Sequence, residues 1–331
     1  IMNINPLKVL IVGCGNIAGK FDESIAPNDF PMTHAGAFFR DKRFNLAGCI
    51  EPNSDRRKEF SQKWNVLKSF ESFIKMPNLE GEFDIISICS PTACHGDDVK
   101  NALSLKPKLI FCEKPVTISA DQTKKISDMC QDAGVLLCIN YSRRWDPDIH
   151  KLKSIIENKL LGKLRSVSGV YNKGLLNNGS HMIDLLNFLF GKVDIVKTGK
   201  SIKDYSENDP SVPVWLIDKN GLQINLSCGN ANDFSIFEIQ FIFEAGILTM
   251  EDGGLSWRER NVIPSTIYNG FNILNDGIYR DGRYNQSMTL AINNIWDAIN
   301  NNTKLFSDGN SALESHVICD KIFYNSRRFN D

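Results

Sequence analysis

Two side chains in this sequence are placed where they could move a proton. Lys114 stands in Glu113-Lys114-Pro115, directly after the apolar run at residues 109–112. An ammonium fixed at the end of a buried strand and partly desolvated titrates below its free value, which lets it hydrogen-bond a hydroxyl and relay a proton. On those three residues alone, an exposed Lys114 paired loosely with Glu113 reads equally well. The second side chain is His181 in "GSHMIDLL", with Asp184 three residues on and Met182, Ile183, Leu185, Leu186, Phe188 and Leu189 forming an apolar helix. A helix N-terminus disfavours imidazolium and suits a neutral ring waiting for a proton. Taken singly, His181 reads first as a packing or capping residue. Asp184 serves as readily to hold His181 or a backbone amide as to touch a substrate.

A third group could hold phosphate. "KVLIVGCGNIAGK" places Gly13-x-Gly15-x-x-Ala18 after a strand, with Asn16 and Ile17 inside the turn. Gly13 permits the tight turn, Gly15 admits a pyrophosphate close to backbone, Ala18 lets a helix pack closely, and the helix N-terminus offers free N–H groups. Glu51, closing the next strand, suits the adenosine ribose hydroxyls, although it follows Gly13 by 38 residues where about 20 is usual. Residues 20–32 carry Pro27 and Pro31 and read as a 13-residue insertion; setting it aside leaves a spacing of 25, and Thr33 caps the resumed helix. A carboxylate there repels a 2′-phosphate, so NAD is expected over NADP; Arg56 and Arg57 keep NADP as the minor reading.

The elements needed to bring these groups together are visible as a cadence. Short β-branched runs at 9–12, 46–50, 85–90, 109–112 and 135–140 alternate with helical spacing, as at 119–133, where Ser119…Gln122 opens a helix and Gly134 closes it. Alternation of this kind builds a parallel sheet covered on both faces. Ligands bind at the carboxyl ends of such strands, which is where Lys114 and Ser90-Pro91-Thr92 fall.

Beyond about residue 150 the period changes to two, in Leu222, Ile224, Leu226, Cys228 and in Phe237, Ile239, Phe241, Phe243. Asn220-Gly221 marks a hairpin turn. An open, largely antiparallel sheet with helices on one side is expected. Met288, Ile292, Ile295 and Ile299 form a helical stripe, and Ser311…Glu314 reads as the box opening a last helix. The division is therefore a dinucleotide-binding domain over 2–145 and an α+β substrate domain over 146–331; Ile1, ahead of Met2, is set aside.

Composition narrows the partners. With 38 basic and 39 acidic residues well mixed, there is no face for nucleic acid and no polybasic membrane patch. Nine cysteines without a C-x-x-C pair suit reduced thiols in a cytoplasmic protein, and no apolar run is long enough to cross a membrane. No metal-ligand spacing is present.

In family order, these pieces resemble the glucose-fructose oxidoreductase and inositol dehydrogenase family (Gfo/Idh/MocA). They are the glycine loop, Glu51, "SPTACH" with Pro91 and His95, "CEKP" with Lys114, "NYSRRWDP", and "GSHMIDLL". The resemblance implies an N-terminal Rossmann domain, with Ser90, Pro91, Thr92, His95, Glu113 and Lys114 beside the cofactor. It also implies a C-terminal sheet through which such proteins form homodimers or homotetramers, and proton chemistry at Lys114 and His181 on a carbohydrate-like substrate. Tyr141, Arg143 and Arg144 fall where the family often contacts substrate, and a solvated arginine pair reads equally well. Asn177 occupies a position where members often carry aspartate; an amide cannot relay a proton but can bind a hydroxyl. A sugar or redox sensor without turnover, and redox-assisted glycoside cleavage, are the alternative readings.

Overall fold

A computed structural model describes residues 5–26 and 28–328; Pro27 and Ile1 lie outside the described residues. The chain divides into two compact units, Ile1–Trp145 with Asn285–Leu313, and Asp146–Tyr284 with Glu314–Asp331. The segment from 285 to 313 thus joins the first unit, whereas the sequence reading kept it in the second.

In the first unit, β1 (Leu7–Val12), α1 (His34–Arg40), β2 (Phe44–Ile50), α2 (Ser54–Lys63), β3 (Lys68–Phe70), β4 (Ile85–Ile88), α3 (Thr92–Leu103), β5 (Leu109–Cys112), α4 (Ala120–Asp132) and β6 (Leu136–Ile139) follow in order. The six strands pair in parallel in the order β3-β2-β1-β4-β5-β6. This is the doubly wound Rossmann sheet. Val9, Leu10 and Ile11 are fully buried, as are Leu109, Ile110, Phe111 and Cys112, because helices cover both faces. Ser119 caps α4 by accepting from the Gln122 amide, and Gly134 leaves it at φ +67°.

The second unit opens with α5 (Pro147–Glu157), capped by Asp146 with proline in its first turn. Then come β7 (Leu164–Tyr171), α6 (Ser180–Phe190), β8 (Val193–Thr198), β9 (Ile202–Ser206), β10 (Asp209–Ser211), β11 (Val214–Asp218), β12 (Gln223–Cys228), β13 (Phe237–Phe243), β14 (Gly246–Glu251), β15 (Ser256–Pro264), β16 (Asn272–Leu274) and β17 (Ile278–Asp281). Nine strands form one sheet, β16-β15-β14-β13-β7-β12-β11-β8 with β17 on β15, while β9 and β10 pair separately. The sheet is antiparallel except between β7 and β12. In β13 alternate residues are buried, so Ile239 and Phe241 meet Met182, Leu186, Ile318 and Ile322 in one core.

The chain ends with α7 (Ser287–Asn301) and α8 (Gly309–Arg327). The α7 stripe of Met288, Ile292 and Ile295 packs into the first unit's core with Phe38, Phe111 and Trp145. The box opening α8 lies three residues earlier than expected. Asp308 accepts from the Ser311 amide at 2.8 Å and Ser311 Oγ accepts from the Asp308 amide at 3.0 Å. Among the described residues no helix is long and apolar enough to cross a membrane.

Candidate active site

The glycine loop follows β1. Gly13 has φ +82°, and a Cβ there would lie 2.7 Å from Ser90 backbone atoms, so two strand exits touch at a place only glycine fits. Gly15 is the opposite case: a Cβ on it would meet nothing within 4 Å. The loop therefore presents open backbone at the carboxyl edge of the sheet, as a dinucleotide pyrophosphate requires. Asn16 is exposed, Ile17 half-buried and Ala18 fully buried. After the loop the chain makes only turns over residues 16–22, and the resumed helix is α1, capped by Thr33 as expected, with its first amides donating to the Ile17 and Ala18 carbonyls. Asp22, buried in the insertion, closes it by accepting from Met32 and Thr33 amides and from Thr33 Oγ1 at 2.6 Å.

These features set up a paired expectation. Gly13→Ala loses stability by at least about 2 kcal/mol from positive-φ strain and the backbone clash. Gly15→Val stays within about 0.5 kcal/mol of wild type in urea unfolding, yet binds NAD about tenfold or more weakly, for an obstructed cradle. Unchanged NAD affinity in folded Gly15→Val places the dinucleotide elsewhere.

Glu51 is buried at the end of β2. One carboxylate oxygen accepts from the Cys14 amide at 2.9 Å and the other from the Asn53 amide at 3.0 Å. It ties the glycine loop to β2 and keeps lone pairs for a ribose. Arg56 lies 3.5 Å from it, and Arg57 donates to the Glu51 carbonyl.

At the β5 exit, Lys114 is half-buried and its backbone amide donates to Glu113 Oε2 at 3.2 Å. Glu113 itself turns inward, unlike the cofactor contact expected of it. Its Oε1 accepts from His34 Nε2 at 2.9 Å and from Asn140 Nδ2 at 2.7 Å, and His34 Nδ1 meets Ser87 Oγ at 2.7 Å. Burial opposes charge on His34 but is outweighed by the neighbouring Cys89 sulfur and the Glu113 carboxylate, so its pKa rises to about 10. Burial likewise works against the Glu113 carboxylate, and His34, Asn140 and Lys114 more than offset it, lowering its pKa. The pair is ionic and holds the strand exits β4, β5 and β6 to α1.

His95 is also buried, with Nδ1 2.9 Å from the Pro115 carbonyl and Nε2 2.7 Å from the Ser90 carbonyl. Both ring nitrogens therefore face protein, against the expectation of a cofactor contact. Ser90 Oγ donates to Asp98 Oδ2 at 2.5 Å, and burial raises the Asp98 pKa. Pro91 is exposed and Thr92 begins α3, whose N-cap makes no side-chain hydrogen bond, leaving helix amides at the sheet edge.

In the second unit, His181 is half-buried in the first turn of α6. The helical run starts earlier, in a π turn over Leu175–Gly179. Its entry is capped by Asp209, which accepts from the Leu176 amide at 2.7 Å and the Asn177 amide at 2.9 Å. The dipole argument for a neutral His181 thus fails: the positive end lies at Leu175 and faces a carboxylate. Asn177 Nδ2 donates to the Lys173 carbonyl at 3.0 Å. Asp184 is buried and accepts from Ser315 Oγ at 3.1 Å, joining α6 to α8.

"NYSRRWDP" is structural at most positions. Asn140 belongs to the Glu113 network, Arg144 donates to the Phe306 carbonyl at 3.0 Å, and Trp145 Nε1 donates to Asn294 Oδ1 at 3.0 Å. Tyr141 and Arg143 are buried, so neither arginine is solvated. Sequence reasoning missed His34, Asn140, Ser87 and Asp209; a polar residue ending an apolar strand beside Glu113 was the available signal for Asn140.

Residues 7–141 match the family described as oxidoreductase family, NAD-binding Rossmann fold. Over those residues, about two fifths of its length, the chain is similar to the Gfo/Idh/MocA oxidoreductases. An uncharacterized oxidoreductase, YrbE, of Bacillus subtilis is 44% identical over 81 residues, 24% of either protein. The myo-inositol 2-dehydrogenase of Thermotoga maritima is 26% identical over 160 residues, 47% of this chain and 42% of that protein. The alignments thus span a quarter to under half the length of these two relatives. An oxidoreductase from Agrobacterium radiobacter, solved with NAD+, L-tartaric acid and magnesium, superposes with a TM-score of 0.77 over 98% of this chain and 97% of that one. At 14% identity this likeness is one of fold.

Proposed function

We propose that this chain is an NAD-dependent dehydrogenase or reductase acting on a secondary hydroxyl or ketone of a sugar, cyclitol or nucleotide sugar. The observation that carries this reading is the sheet edge of the first unit, where open Gly15 backbone, Glu51 and Lys114 stand at the exits of β1, β2 and β5. The named activity of the myo-inositol 2-dehydrogenase supports the substrate class.

Gly13, Gly15, Asn16, Ile17 and Ala18 would hold the pyrophosphate, Glu51 the ribose, and Ser90, Pro91 and Thr92 the nicotinamide half. When bound, the cofactor accepts or delivers the hydride. His181, assisted by Lys114, takes the hydroxyl proton in the oxidative direction and returns it in the other. An ammonium close to the reacting oxygen also stabilises negative charge developing there. Asn177 would orient a substrate hydroxyl. The exposed Ile263, Phe271, Ile273, Ile278 and Tyr279 around β15 to β17 suit assembly through the nine-stranded sheet.

The test is a screen of purified protein with NAD and with NADP against sugars, inositols and nucleotide sugars, read at the reduced-nicotinamide absorbance. Turnover is expected, with NAD bound more tightly than NADP because of Glu51. Tighter NADP binding overturns the cofactor preference. Tight cofactor binding with no reduction across the panel favours the sensor.

A further inference from the structure

His95 lies in the first turn of α3, which follows the β4 exit, and it is buried from solvent. Its ring spans two loops. Nδ1 reaches the Pro115 carbonyl, the residue after Lys114, and Nε2 reaches the Ser90 carbonyl, the residue packed against Gly13. A carbonyl oxygen only accepts hydrogen bonds, and a neutral imidazole has a single N–H. Both contacts are hydrogen bonds only while both nitrogens carry hydrogen. The charged group that interacts with the ring is Asp98 on its own helix, one turn on; Glu113 and Lys114 precede Pro115 in the chain.

We propose that His95 is a positioning residue for Lys114: a two-donor clamp that fixes the Lys114 loop to the Ser90 loop and, through Ser90, to the glycine loop. The role of Lys114 rests on the function proposed above; the clamp itself does not.

Two amide variants separate the halves of the clamp. In His95→Asn the amide nitrogen takes the place of Nδ1 and keeps the Pro115 bond; in His95→Gln it takes the place of Nε2 and keeps only the Ser90 bond. His95→Gln is expected to lower kcat about tenfold more than His95→Asn, with the Kd for NAD within about twofold of wild type in both, since a misplacement of about 1 Å costs up to about a hundredfold. Equal losses in the two variants, or a loss confined to Kd, overturn the clamp.

A second readout needs no substrate. In full-length protein carrying isotope-labelled histidine and lysine, with Lys114 assigned through Lys114→Arg, the Lys114 side-chain resonance is expected to move in His95→Gln, which loses the Pro115 bond, and to stay near its wild-type position in His95→Asn, which keeps it. A Lys114 signal that moves equally in both variants, or in neither, overturns the proposal. Two His95 ring N–H signals are expected in wild type, and a single one overturns the two-donor clamp even if either amide variant fails to fold. If wild type turns over no substrate, the proposed function fails while these signals still decide the clamp.

Discussion

Lys114→Ala is expected to bind NAD as wild type does and to lose about 10²- to 10⁴-fold in kcat, the range general acid–base groups contribute. The split follows from position. Lys114 leaves the sheet at β5, while the groups assigned to the pyrophosphate and ribose leave at β1 and β2. Its backbone amide still donates to Glu113 Oε2 in the variant, while the ammonium that helps keep the Glu113 carboxylate ionised is lost. His181→Ala should fall comparably. If the two act on one proton, the double variant falls little below either single, since groups acting as a unit are not additive. Isothermal NAD titration and steady-state kinetics on whichever substrate the screen yields decide it. Undiminished turnover in Lys114→Ala, or losses that multiply in the double variant, removes the pair from the mechanism.

Elements whose burial is two-sided were legible in the sequence. β5 begins and ends where the apolar run does, because four consecutive fully buried residues leave no polar position inside the run. β3 was missed: its three residues, Lys68–Phe70, are exposed or half-buried at the sheet's edge and carry no pattern. The return of 285–313 to the first unit was hidden for another reason. A stripe of Met288, Ile292 and Ile295 states that a helix is buried, and hydrophobicity is indifferent to which core receives it.

The polar residues show the sharper limit. Glu113, His95 and Asp184 sit in the stretches that carried the resemblance; it put the first two beside the cofactor and left Asp184 open between substrate, His181 and a backbone amide. In the fold their polar atoms meet His34 and Asn140, two backbone carbonyls, and Ser315. Spacing along a strand or helix gives the level of a side chain but not whether its partner is a ligand or another strand's end. The place of Lys114 at the end of β5 was readable, because the apolar run stops at Cys112; its neighbours left an exposed lysine paired with Glu113 equally open.

The network beneath Lys114 yields the largest expected effect on stability. Glu113→Leu removes the acceptor of both His34 Nε2 and Asn140 Nδ2 and leaves a buried imidazolium uncompensated, which costs about 3–5 kcal/mol. Glu113→Gln keeps the shape and an acceptor, so it should cost less while abolishing the charge interaction. The pH dependence has a definite sign. His34 rises from an ordinary 6.5 to about 10, so its contribution is complete below 6.5 and disappears as pH climbs toward 10. Glu113 is held below its ordinary 4.5, so its contribution is present above 4.5 and is lost as pH falls below that. The stability gap between wild type and Glu113→Gln should therefore be widest between 4.5 and 6.5 and should narrow on both sides. Part of the high-pH dependence will survive in Glu113→Gln, because Cys89 also raises His34. Urea unfolding followed across that range measures the gap. A gap that is flat with pH, or that widens toward pH 10, means His34 and Glu113 meet as neutral partners and the strand exits are held by hydrogen bonds without charge.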